Sequence, residues 1–178
     1  MRTNPSQFCL ALGSNIDPEQ NMPIALSELK SQFSILAVSH FWQTSAVGSD
    51  GPDFINAAIL ISSFQMPQRL KERIIRPLET RLGRMRTQDK NAPRPIDIDI
   101  VVTGDQPYDD NLWKFIHLAA PVAELLPDLR SPWTGERLEN AARRLMRETS
   151  IILRKDLSFQ PFLFCPSKYK PSIPFCCS

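Results

Sequence analysis

Asp97 and Asp99 stand two residues apart in Arg94-Pro95-Ile96-Asp97-Ile98-Asp99-Ile100-Val101-Val102, a run that reads as a short strand. Side chains alternate across a strand, so both acids project from one face while Ile96, Ile98 and Ile100 supply a core face on the other. Two rises of about 3.3–3.4 Å put the acids roughly 7 Å apart at their Cα atoms. Carboxylates that close repel unless positive charge lies between them. Magnesium meets this need, because it takes one or two carboxylates and completes its shell with phosphates and water. Arg84, Arg86, Lys90 and Arg94 lie in the segment that leads into the strand. Guanidinium groups hold phosphates through forked, charge-assisted hydrogen bonds. Acids and basic segment together point to a site for a metal-bound polyphosphate. A solvated strand face and a solvated basic loop are the competing readings. The connection over residues 83–95 is about a dozen residues, a length more common in functional lids than in plain connections.

Asn56 is a polar residue inside an apolar, β-rich run over residues 54–64. It is either a satisfied core amide or a group that reads a ligand's hydrogen-bonding edge. Phe54 lies two residues earlier on the same strand face, where it either packs in the core or stacks on a flat ring. Gly13-Ser14-Asn15 is a turn signal, not a phosphate loop. The chain has neither GxxxxGK[ST] nor GxGxxG, so a nucleotide must be held by side chains, metal and strand edges.

The elements that position these residues follow from the pattern of apolar positions. Residues 8–12 read as a buried strand. Asp17 and Pro18 mark a helix start, cap and first turn, with Ile24, Leu26, Leu29 and Phe33 as its apolar positions. Residues 35–44 and 54–64 read as strands. A second helix opens at Met66-Pro67 with Leu70, Ile74, Ile75, Leu78 and Leu82 facing the core, and Pro77 inside it predicts a kink. The order β-α-β-β-α-β predicts an α+β, ferredoxin-like fold, an antiparallel sheet with helices on one face. Two further helices, near residues 122–126 and 138–148, form a C-terminal helical extension. Residues 1–159 read as one domain and 160–178 as an irregular tail.

The chain has 178 residues, 42% hydrophobic and 22% charged, enough for one domain with a real core. A net charge of +2 calls for neither a nucleic-acid nor a membrane partner. No apolar run reaches about 18 residues, and the polar first residues lack a signal peptide's apolar core, so a cytoplasmic protein is expected. Cys9, in an apolar run, reads as a small core residue. Cys165, Cys176 and Cys177 sit near the end. With no CxxC spacing and only His40 and His117, neither zinc nor a disulfide framework is indicated.

Taken together, these residues resemble the 6-hydroxymethyl-7,8-dihydropterin pyrophosphokinase family of folate biosynthesis. The pieces that carry the resemblance are Leu10-Ala11-Leu12-Gly13-Ser14-Asn15, residues 44–48, Phe54-Ile55-Asn56-Ala57-Ala58, Glu79, Gly83-Arg84-Met85-Arg86 and Pro93-Arg94-Pro95-Ile96-Asp97-Ile98-Asp99-Ile100. They run in the family's order over roughly residues 8–128. The resemblance implies transfer of pyrophosphate from ATP to the pterin's hydroxymethyl group, with release of AMP. It implies that Asp97 and Asp99 bind two magnesium ions and that Arg84, Arg86, Arg94 and His117 contact the ATP phosphates. Arg84, Arg94, Asp97 and Asp99 would form the catalytic set. Glu79 and the backbone near Ile100 would lie at the nucleoside. Asn56 would hydrogen-bond the pterin, Phe54 would stack on it, and Thr44 and Val47 would line its pocket. The partners implied are two small molecules, pterin and ATP, for a monomer.

Three positions depart from the family pattern. Asn91 stands where a tryptophan is usual, and Thr87 where a basic residue is frequent. The segment after His117 is shorter and lacks an arginine that would touch the phosphates and a phenylalanine that would form the second wall of the pterin site. Trp113 or Phe115 is the candidate substitute for that wall. A non-catalytic or substrate-shifted pterin- or nucleotide-binding paralogue is the alternative reading, and an RNA-binding module is a third. The third lacks aromatic RNP-type strands and strong positive charge.

Overall fold

The structure is a computed structural model that describes residues 5–46, 51–85 and 92–157. Val47, Arg86, Thr87, Lys90, Asn91, the three late cysteines and the proposed tail lie outside the described residues.

Seven strands form one sheet: β1 (Ser6–Ser14), β2 (Ser34–Val38), β3 (Trp42–Thr44), β4 (Phe54–Ser63), β5 (Asp97–Thr103), β6 (Gln106–Pro107) and β7 (Ile151–Leu153). The order is β6-β5-β1-β4-β3-β7, with β2 also paired to β4, and every pairing is antiparallel. The central β5-β1-β4 strands, flanked by β2 and β3, are the expected ferredoxin-like sheet. Residues 35–44 do not form a single strand as their alternation suggested. The chain breaks between β2 and β3, where Ser39 N–H donates to Ala58 O at 2.9 Å and Ser39 Oγ accepts from Ala58 N at 2.8 Å. A hydroxyl thus replaces part of the ladder. The three residues of β7 carried too little pattern to be read as a strand in advance.

Helix α1 (Pro18–Gln32) starts at Pro18 as expected, but Asp17 caps it with its backbone only, in the left-handed region at φ 43°. Its buried stripe is Met22, Ala25, Leu26 and Leu29, the i, i+3, i+4, i+7 pattern. Ile24 was expected in that stripe and is exposed instead. At about 100° per residue it points some 200° away from Met22. The second helix is α2 (Pro67–Leu70), a π-turn (Lys71–Ile75) and α3 (Arg76–Arg81) in unbroken succession. Arg76 N–H donates to Lys71 O across the wide turn. Pro77 follows immediately. It has no N–H and crowds the preceding turn, so the helix widens where a kink was predicted.

Both faces of the sheet are buried: the two helices of the βαββαβ unit share one face, as expected, and the C-terminal helical extension covers the other. Phe8, Leu10, Leu12, Ile55, Ile59, Ile61, Ile98 and Ile100 pack under α1 and α2–α3. The opposite face, Cys9, Ala11, Ala37, Trp42, Ala58 and Val101, packs under α4 (Ile116–Leu125) and α5 (Leu138–Glu148). Helix α5 matches its predicted range. Helix α4 begins earlier than predicted, its first turn anchored by Leu118 and Ala119 N–H groups donating to Phe115 O. Small residues meet on this side, Ala11 and Ala58 below and Ala119, Ala120 and Ala123 above. Side chains this short let helix and sheet approach closely. Cys9 is buried as expected, and burial pushes its thiol pKa upward, which makes it inert.

Candidate functional site

Strand register builds the site. Asp97 lies opposite Gly13, and Gly13 lies opposite Asn56, so acid, glycine and amide form one row across β5, β1 and β4. Two such spacings of about 4.5–5.5 Å put the Cα atoms of Asp97 and Asn56 roughly 10 Å apart. Asp99 lies opposite Ala11, and Phe54 opposite Thr44. Glycine and alanine fill the middle of this face, leaving a hollow between the sheet and the first turn of α4. The resulting cleft, about 250 Å³, is lined by Gly13, Thr44, Ser45, Ala46, Phe54, Asn56, Arg94, Asp97, Asp99, His117 and Leu118, with Ala11 and Leu12.

Arginines hold the acid end. Asp97 Oδ1 accepts from Arg84, and Asp97 Oδ2 accepts from Arg94 Nη1 at 2.6 Å. Arg84 also donates to Glu79, whose Oε1 accepts from Ile98 N–H at 2.9 Å. Burial works against the Arg84 charge, but the Asp97 and Glu79 carboxylates outweigh it and hold the guanidinium protonated. Asn15 positions Arg94: its Oδ1 accepts from Arg94 N at 2.7 Å, and its own N–H donates to Arg94 O at 3.1 Å. Lys71 Nζ donates to Asp99 Oδ1 at 3.1 Å.

The other end presents a fixed amide beside an aromatic ring. Asn56 is buried, and its Nδ2 donates to Thr44 Oγ1 at 3.0 Å and Trp42 O at 3.3 Å. These bonds fix the amide plane. A Cβ on Gly13 would stand 3.3 Å from Asn56 Oδ1, so the carbonyl lies directly over the glycine. Phe54 flanks it, half-buried. Opposite stands His117, stacked on Phe115 with ring centroids 5.6 Å apart. Burial lowers the His117 pKa, against the opposing pull of Asp97, so the imidazole is neutral near pH 7.

Asp97, Asp99, Arg84, Arg94, His117, Thr44, Phe54 and Asn56 therefore converge on one region, as the sequence reading required. Ile100 is nearly buried and lines a second cavity on the far side of Asp99. Glu79 lines neither cavity. It is 2% exposed and sits beneath Arg84, where it supports the guanidinium. Trp113 cannot serve as a second ring wall, because it is buried and its Nε1 donates to Glu136 O at 3.0 Å. Phe115, partly exposed, is the remaining aromatic of the two. Sequence reading assigned no roles to Asn15, Lys71 and Glu124. Asn15 alone carried a signal, as the last residue of the first strand's turn.

The two carboxylates fit a hard divalent cation, for each offers oxygen and both face the cleft. Among the described residues no cluster of three or more His, Cys, Asp or Glu could hold a metal by itself. A cation held by these two carboxylates would complete its shell with water or with oxygens of a bound ligand. The cations on Asp97 and Asp99 are guanidinium and ammonium groups, the kinds of side chain that also bind phosphates.

Comparison with known proteins agrees with this geometry. Residues 9–130 match the family described as 7,8-dihydro-6-hydroxymethylpterin-pyrophosphokinase (HPPK). A Pseudomonas aeruginosa protein named 2-amino-4-hydroxy-6-hydroxymethyldihydropteridine pyrophosphokinase is 30% identical over 135 residues, 69% of this chain and 82% of that protein. A Synechocystis protein of the same name is 26% identical, covering 72% of this chain and 71% of its own. The folic acid synthesis protein fol1 of Schizosaccharomyces pombe is 32% identical over 76% of this chain, and the match spans 20% of its length. Among solved structures, wild-type Plasmodium falciparum HPPK-DHPS shares the fold with a TM-score of 0.60 at 9% identity. That match covers 83% of this chain and 46% of the other. The chain thus spans less than half of these longer relatives and most of the bacterial ones, and it belongs to the 7,8-dihydro-6-hydroxymethylpterin-pyrophosphokinase family.

Proposed function

We propose that this chain transfers the terminal pyrophosphate of ATP to the hydroxymethyl group of 6-hydroxymethyl-7,8-dihydropterin, giving AMP and the pterin diphosphate, a step of folate biosynthesis. The row Asp97–Gly13–Asn56 carries this reading, because it sets a metal-binding acid and a ring-reading amide in one cleft with no side chain between them. Asn56 and Thr44 recognise the pterin edge, Phe54 stacks on one face, and the His117–Phe115 pair closes the other. Val47 is the further residue proposed for pterin binding. The pterin hydroxyl oxygen attacks the β-phosphorus in line and gives up its proton to solvent. The bond from that phosphorus to the α,β-bridging oxygen breaks, and AMP leaves with the electron pair. Asp97 and Asp99 hold magnesium, two ions being the proposed number, which neutralises polyphosphate charge and orients it. Arg84, Arg86 and Arg94 take the phosphoryl oxygens in their forked donors. His117, neutral, presents an N–H to a phosphate oxygen. Ile100 borders the nucleoside, and Glu79 supports that side from below through Arg84. Little covalent chemistry is asked of the protein, since positioning and charge stabilisation supply most of the rate in phosphoryl transfer.

We also place the reaction in the cytoplasm, carried out by a monomer whose partners are small molecules. Residues 1–159 would serve as its catalytic unit, a boundary favoured by β7 pairing with β3. Among the described residues no helix is long and apolar enough to cross a membrane. An RNA-binding role finds no open sheet, since both faces are covered. The substrate-shifted reading keeps one observation in its favour, the short segment after His117.

Product analysis tests the proposal. With magnesium, ATP and 6-hydroxymethyl-7,8-dihydropterin, the protein should release AMP and pterin diphosphate in equal amounts. Asp97→Asn should lower the rate more than about 100-fold, beyond the 10–100-fold typical of residues that merely support a metal ligand. ADP in place of AMP, or an unaffected Asp97→Asn, would sink the reading. Turnover only with another pterin would establish the shifted substrate.

A further inference from the structure

Lys71 opens the π-turn, and its side chain reaches across to β5 to pair with Asp99. Asp99 lines the first cleft. Lys71 lines a second, of about 600 Å³, with Arg69, Glu72, Arg76, Ile100 and Tyr108. The ion pair therefore stands on the partition between the two hollows. The acids differ in how firmly they are held. Asp97 is gripped on both oxygens by two mostly buried arginines, whereas Lys71 and Asp99 are 40% and 55% exposed. An exposed pair of this kind is weak and exchanges partners readily.

An ammonium group and a metal ion on the Asp99 carboxylate oppose each other. The ammonium nitrogen stands 3.1 Å from Oδ1, and a magnesium ion would come within about 2.0–2.1 Å of a carboxylate oxygen, so two positive charges would share one carboxylate. Lysine is a compact charge on a flexible stem, so it can leave the carboxylate for a phosphate oxygen nearby.

We propose that Lys71 is a competing counter-ion that couples metal capture at Asp99 to the arrival of the polyphosphate. Without nucleotide its ammonium neutralises Asp99 and weakens metal binding there. When the polyphosphate enters along the partition, the ammonium moves to a phosphate oxygen and Asp99 is released to the metal. The identity of the nucleotide rests on the pyrophosphokinase reading, whereas the competition at Asp99 does not.

Manganese binding, followed by the EPR signal of the free ion, separates the two. In the nucleotide-free protein, Lys71→Met should bind Mn2+ more tightly than wild type, by up to about fivefold given the usual strength of exposed pairs. Lys71→Arg should restore the weaker binding. In an Asp99→Asn background the Lys71 substitution should change nothing. The factor by which α,β-methylene-ATP tightens Mn2+ binding measures the coupling, and it should be smaller in Lys71→Met than in wild type. Equal Mn2+ affinity and equal coupling in wild type and Lys71→Met, with Asp99→Asn still weakening Mn2+, would overturn the role of Lys71 and leave the function intact. No Mn2+ binding by any form, even with the analogue, would overturn the metal reading and this proposal with it.

Discussion

Between Asp97 and Asn56 the sheet carries only the hydrogen atom of Gly13, and the floor of the cleft depends on that. Its φ lies outside the left-handed region, so the requirement for glycine is one of space. Gly13→Ala would set a methyl group 3.3 Å from Asn56 Oδ1 and 3.7 Å from Phe54 Cδ1. The amide must then shift from the bonds that orient it. The expected outcome is a KM for the pterin raised by about tenfold, equivalent to ~1.4 kcal/mol, with the KM for ATP nearly unchanged. Steady-state kinetics with each substrate varied would show it, and an equal rise in both would place Gly13 elsewhere. Phe115→Ala should likewise weaken pterin binding while leaving the melting temperature close to wild type. Trp113→Ala should instead destabilise the fold by about 3–5 kcal/mol, as removal of a buried tryptophan does. At this scale the acids were legible, since period-two alternation fixes their shared face and the isoleucines fix which face is core. Gly13 read only as a turn, because its role depends on what stands opposite it on two other strands. Lys71 was not legible at all, for a lysine on a helix usually faces water and its partner is 28 residues away.

Helix α4 is the element that turns an open sheet into a cleft, and Glu124 ties it down. This buried carboxylate accepts from Trp42 Nε1 at 2.6 Å, from His40 N at 3.0 Å and from His40 Nδ1 at 2.8 Å. Glu124→Ala would strand the Trp42 and His40 donors, a loss of about 1–3 kcal/mol for each group left without a partner. Urea denaturation would measure it. The His40 bond adds a pH dependence. Its hydrogen bond to Glu124, opposed by partial burial, raises the pKa of His40 above the ordinary value near 6.5. A raised value in the folded state means the contribution is complete below about pH 6.5 and fades as pH climbs through the higher folded value. The stability gap between wild type and His40→Ala should therefore be wider at pH 6 than at pH 9, and modest because the imidazole is half-exposed. A gap that widens with rising pH would contradict this. The βαββαβ core was readable from apolar periodicity, and α5 even to its ends, whereas the split of β2 from β3 and the short β6 and β7 were not. The second covered face was not, because an apolar helix such as α4 does not say which side of a sheet it will cover. Nor was the π-turn, a local answer to Pro77 that pattern alone registers as a kink.

At the scale of the whole molecule, one sheet face presents two carboxylates at β5 and an amide and an aromatic ring at β4, and the packing of α4 closes both into a single cleft. The arrangement requires the two ends to be separable by mutation even though they share a floor. Affinity for magnesium α,β-methylene-ATP, and for the pterin in its presence, should be measured by titration calorimetry on Asn56→Ala and Asp97→Asn. Asn56→Ala should bind the nucleotide within about twofold of wild type and lose at least tenfold in pterin affinity, the size expected when a buried amide's hydrogen bonds are removed. Asp97→Asn should lose nucleotide affinity by a similar factor or more. Should Asn56→Ala lose the nucleotide as severely as Asp97→Asn, or keep the pterin at wild-type affinity, the division of the cleft described above is wrong.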